Sequence, residues 1–136
     1  MVKLSVAEAD SAQFQHLASM TTRIVTATIA RLDGRTVFRR NEAEGSLPPG
    51  EAAILSGEME QDIANGRIVI QSADADVERE FAAVLDRCFS QTPPVFIRTN
   101  DALHISSALV AGETEFVTAD MRQRTAAMLM GLAVLP

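Results

Sequence analysis

Two aspartates in this chain sit where one element gives way to the next. Asp101 opens an apolar-periodic helical stretch, and Asp120 closes the short strand that runs through Phe116 and Val117. Acids at strand ends and helix starts can meet at one rim of a parallel sheet, beyond the carboxyl ends of its strands. Carboxylates gathered there suit hard divalent cations such as Mg²⁺ and Mn²⁺. Such ions polarise a phosphodiester and lower the pKa of bound water until it supplies hydroxide. Asp33, one to two turns into the helix that follows a strand at Val25, is a third acid able to reach the same rim. The histidines fit the chemistry poorly. His16 lies mid-helix near the start of the chain, and His104 follows Asp101 by three residues.

Each acid also has a purely structural reading. Asp101 can be a first-turn residue that favours the helix dipole. Asp120 can cap the helix beginning at Met121. Asp33 can be a solvated acid paired with Arg31 or Arg35. Spacing alone leaves both readings open.

The elements that must position these acids alternate. Helical patterns run from Ala9 to Met20, Thr28 to Asn41, Gly50 to Asn65, Asp74 to Ser90, Asp101 to Ala111 and Met121 to Met130. Their expected inner faces include Ile29, Leu32, Thr36 and Val37 in the second, and Ile54, Leu55, Met59 and Ile63 in the third. The fourth places Val77, Phe81, Val84, Leu85 and Cys88 together. Short strands are expected at Arg23 to Thr26, Ile68 to Ile70, Glu115 to Thr118 and Ala133 to Leu135. Gly66, Gly112 and Gly131 stop helices, and Thr92-Pro-Pro94 breaks one. Strands separated by helices imply an α/β fold with a parallel, doubly covered sheet and right-handed crossovers.

The 136 residues are expected to form one domain with its own core. Apolar content of 47% with 22% charged residues excludes a disordered chain. No apolar run approaches the roughly 18 residues needed to span a bilayer. The opening Met1-Val-Lys-Leu-Ser-Val6 does not read as a signal peptide. A cytoplasmic protein is expected, with no membrane partner. Cys88 is the one cysteine, so no internal disulfide can form, and its apolar setting favours a buried structural thiol over a catalytic one. The net charge of −6 argues against bulk electrostatic binding of nucleic acid and suits a basic protein partner. Arg23, Arg31, Arg35, Arg39 and Arg40 form either a local basic patch or a solvated face shared with Glu42 and Glu44.

Five segments carry a resemblance, in order along the chain: Val2-Lys-Leu-Ser-Val-Ala-Glu8, Thr26-Ala-Thr-Ile-Ala-Arg-Leu-Asp33, Arg98-Thr-Asn-Asp-Ala-Leu-His-Ile-Ser-Ser-Ala108, Phe116-Val-Thr-Ala-Asp120 and Gly131-Leu-Ala-Val-Leu-Pro136. Together they resemble PIN domains, most of all the VapC-type toxins of bacterial toxin–antitoxin pairs. The resemblance implies a three-layer α/β/α sandwich with a central parallel sheet, spanning residues 1–136. It implies an endoribonuclease that uses Mg²⁺ or Mn²⁺ to cut RNA phosphodiesters. On this resemblance Asp33, Asp101 and Asp120 match the second, third and fourth acids of the metal site, with Asp33 standing where the family usually has glutamate. Thr118 matches a rim hydroxyl, and Arg98 is a candidate for binding the substrate phosphate. The expected partners are RNA, an antitoxin protein that offers an arginine to the carboxylates, and a second copy of the chain in a homodimer.

The resemblance departs from the family at one place. Its members open with a strand ending in Asp-Thr-Ser or a similar run, before a helix that begins Leu-Val-Lys-Leu. Here Met1 is followed at once by Val2-Lys-Leu4. The first strand and first acid are therefore expected to be absent, unless Val2 to Val6 takes the strand's place with Glu8 or Asp10 near the rim. Loss of a central strand would leave exposed sheet edges, which recruit other chains. Two functions follow: an active ribonuclease, or a PIN-like scaffold without catalysis that binds an antitoxin or dimerises.

Overall fold

A computed structural model describes residues 11–135. In chain order these form α1 (Ser11–Met20), β1 (Ile24–Ala27), α2 (Thr28–Ala43), α3 (Glu51–Ala64), β2 (Ile68–Gln71), α4 (Ala75–Phe89), α5 (Thr99–Val110), β3 (Glu115–Val117), α6 (Met121–Leu129) and β4 (Ala133–Leu135). The expected alternation of helices and short strands is present, and the protein is a mixed α/β fold. The expected strand at Val2 to Val6, with Glu8 and Asp10, lies outside the described residues.

The four strands pair as β1 with β2 and β3 with β4. β3 and β4 run parallel, with Glu115 opposite Ala133, Phe116 opposite Val134 and Val117 opposite Leu135. Where the sequence reading takes the chain as one domain, the described residues gather into two compact units. One comprises residues 11–24 and 30–70, the other residues 25–29 and 71–135.

In the first unit Phe38, Ala52, Leu55 and Met59 form the core, with Leu47 and Ile63 packed against it. The buried face of α2 is Ala30, Gly34 and Phe38, four residues apart, and this corrects the expected face. Leu32 is 55% exposed, and so is Ile54 on α3 at 56%. The reason is close approach. A Cβ on Gly34 would meet the Met59 sulfur at 3.3 Å, so a glycine, beside the large Phe38, marks where α2 faces α3. Gly50 precedes α3 with φ of 89°, a left-handed conformation that glycine adopts without a Cβ penalty.

In the second unit the core joins Val84 and Cys88 of α4, Ala102, Ile105 and Ala108 of α5, Phe116 of β3, Ala126 and Ala127 of α6, and Leu132. The expected face of α4 is correct: Val77, Val84 and Cys88 are buried, while Phe81 and Leu85 pack alongside. Asp74 caps α4, its Oδ1 accepting from the N–H groups of Asp76 and Val77 at 3.1 Å each. Asp76 and Glu78 in the first turn and Arg87 in the last complement the helix dipole. Burial raises the Cys88 thiol above its ordinary pKa, which keeps it protonated and unreactive and fits the structural reading.

Candidate functional site

The polar candidates of the second unit lie at the carboxyl end of β3 and the start of α5. The chain leaves β3 through Thr118 and Asp120 and turns at once into α6. The Thr118 hydroxyl is buried, donates to Gln123 Oε1 and accepts from the Asp120 N–H at 3.1 Å. Asp120 Oδ1 in turn accepts from the N–H groups of Arg122 at 2.8 Å and Gln123 at 3.3 Å. The capping role anticipated for Asp120 is therefore real. Those two N–H groups, Arg122's first, hold the Asp120 carboxyl below the usual carboxylate range. The charges of Arg122 and Arg98 add to the effect, and partial burial opposes it.

Arg124 completes this corner. Its Nη1 donates to the carbonyls of Thr118 and Leu135, each at 3.1 Å, tying together the carboxyl ends of β3 and β4. Sequence reasoning passed over both Arg124 and Gln123. The usable signal was an arginine and an amide within four residues of an acid at a strand end, where backbone carbonyls are left unpaired.

Asp101 is the third residue of α5, not its opener, because the helix begins two residues earlier at Thr99. Among the described residues its Oδ2 is buried and has no hydrogen-bond partner. A buried carboxylate oxygen without a donor is costly, and none of the other carboxylates described is left in that state. Arg98 caps the same helix through its extended backbone (φ −86°, ψ 157°) and contributes no side-chain cap bond. Its exposed guanidinium instead acts on Asp120 through space.

Asp33 lies on α2 and belongs to the first unit. The expected pairing of Asp33 with Arg31 or Arg35 does not form. Glu60 takes both arginines, Arg31 through Nε at 2.8 Å and also through Nη2, and Arg35 at 3.0 Å. Hydrogen bonding to Arg31 is the main reason the Glu60 carboxyl sits below its ordinary pKa. Arg39 approaches Glu42 at 3.9 Å. Three of the four arginines on α2 thus lie against acids, as in the solvated-face reading of those residues. The first unit also holds a cavity of about 370 Å³ lined by Phe38, Leu55, Met59 and Ile68 with Glu58 and Asp62 among its polar walls, and Asp33 is not part of it.

The fit to a divalent cation is partial. Among the described residues, no group of three or more His, Cys, Asp or Glu side chains could hold a metal ion. Asp101 offers one buried oxygen with unmet demand, and Asp120 has one oxygen committed to capping. Among the described residues no helix is long and apolar enough to cross a membrane. No protein-family model matches the chain, and no curated protein matches it either.

Proposed function

We propose that the chain is a PIN-like ribonuclease of the VapC toxin type, with Asp33, Asp101 and Asp120 as its acidic residues. The reading is supported by the segments that resemble the family and, above all, by one observation: the buried Asp101 Oδ2 without a donor. A carboxylate oxygen in that condition suits a hard cation. Bound Mg²⁺ or Mn²⁺ would neutralise the phosphate and lower the pKa of a water. Within the chain's own means, Asp101 and Asp120 supply negative charge, Thr118 and Gln123 fix the backbone at Asp120, and Arg98 is placed to bind a phosphate oxygen. In this reading the strands belong to one central parallel sheet in a three-layer α/β/α sandwich. The protein acts in the cytoplasm as a homodimer, held silent by a basic antitoxin that the net charge of −6 suits.

The test is cleavage of single-stranded RNA with Mn²⁺ present. The reading expects products that disappear on chelation and in Asp101→Asn. One observation favours the scaffold alternative, a PIN-like protein without catalysis: the lack of a three-ligand group among the described residues. Intact RNA after incubation of the unmutated chain with Mn²⁺ would select the scaffold.

A further inference from the structure

The chain has six phenylalanines and neither tryptophan nor tyrosine, yet among the described residues two of those rings, Phe89 and Phe96, are spent on the surface. Phe89 is 47% exposed and Phe96 is 69% exposed. They meet edge to face, with ring centroids 6.0 Å apart and planes at 75°. This geometry satisfies the edge of one ring and leaves a ring face open to a further planar group.

The segment that carries Phe96 is pinned. The Val95 N–H donates to the Cys88 carbonyl at 2.9 Å. Val95 and Ile97 pack against the core of the second unit, while Phe96 and Arg98 are exposed. Exposure therefore alternates with a period of two, which puts Phe96 and Arg98 on the same outward side of an extended backbone. The charge of Arg98, like that of Arg122, also acts on Asp120. An open aromatic face and a cation thus follow one another along this segment.

We infer that Phe96, backed by Phe89, is a stacking platform for an unpaired base of single-stranded RNA, whose adjoining phosphate is held by Arg98. The inference rests on the ribonuclease reading for its choice of RNA, and names how that substrate is gripped. Every base has a π-face, so the platform grips RNA with little sequence preference, while the cation fixes the backbone beside it. A docking protein would use the rings as apolar bulk. A base uses their faces, and the adjacent arginine gives the site the charge that RNA requires and an apolar protein contact does not.

The test is binding of a fluorescent single-stranded RNA decamer in EDTA, read by anisotropy, so that no cleavage is required. Phe96→Ala should weaken binding by about 10-fold. Phe96→Leu, which keeps apolar bulk but loses the ring face, should weaken it as much, and Phe96→Trp should restore or tighten it. The same decamer with abasic sugars should bind the unmutated chain no better than it binds Phe96→Ala. Equal binding by Phe96→Leu and the unmutated chain overturns the inference. So does a dimer in sedimentation that Phe96→Ala converts to monomer, which would assign the rings to a second copy. Failure of the unmutated chain to bind RNA also overturns it. Retained, Phe96-dependent binding without Mn²⁺-dependent cleavage would instead sink the ribonuclease reading and leave the platform standing.

Discussion

The two units treat charge in opposite ways. In the first, three of the four arginines of α2 lie against acids: Glu60 holds Arg31 and Arg35, and Glu42 lies near Arg39. In the second, Asp101 keeps a buried oxygen with no donor among the described residues, while Thr118, Gln123, Arg122 and Arg124 are all engaged in holding Asp120 and the strand ends. Compensated charge is what a folded surface needs for its own sake. A buried polar oxygen left without a donor lowers stability. The contrast sets the two units apart, although the first carries more of the arginines that attract notice in the sequence.

The largest effects expected are on the two cores. Ile105→Ala in the second unit removes a fully buried side chain and should cost about 2–5 kcal/mol, and Phe38→Ala in the first about 3–5 kcal/mol. Chemical denaturation followed by probes in each unit shows whether the two cores melt separately or together. Coincident transitions for both variants would break the division into two units as a thermodynamic statement.

The next effect separates two acids. Glu60→Gln removes the common partner of two arginines and should lower the melting temperature. Asp101→Asn, measured without divalent ions, should leave the melting temperature unchanged, because Oδ2 makes no hydrogen bond among the described residues for the substitution to remove. If both variants destabilise alike, the contrast in charge treatment has no energetic content.

Smaller still are the caps. Asp74→Ala and Asp120→Ala each remove an oxygen that accepts two helix N–H groups, and each should cost about 1 kcal/mol. Asp120 adds a pH signature. Its folded pKa lies below its unfolded value, so its contribution is complete above the unfolded carboxyl pKa of about 3.9 and is lost as the pH falls through the lower folded value. Carboxyl NMR should show Asp120 titrating below the usual carboxylate range, and the acid limb of the stability profile should flatten in Asp120→Asn.

The order of elements was legible because its signals are local. Gly66, Gly112 and Gly131 adopt positive φ just past helix ends, and Thr92-Pro-Pro94 breaks the chain between α4 and α5. The face of α2 was misread because hydrophobic size points to Leu32, whereas close packing selects Ala30 and Gly34. Both meanings of Asp120 were visible, and the cap is geometrically present. Two features were beyond reach. Glu60 lies 29 residues from Arg31, so no short spacing reveals their pairing. The unmet oxygen of Asp101 depends on what surrounds it in three dimensions and leaves no mark in the sequence.

The central claim is that this oxygen belongs to a cation site, and Mn²⁺ titration calorimetry on the unmutated chain and on Asp101→Asn tests it most directly. The account predicts saturable heat from the unmutated chain that vanishes in the variant. No heat from the unmutated chain, or the same heat from both, would contradict it.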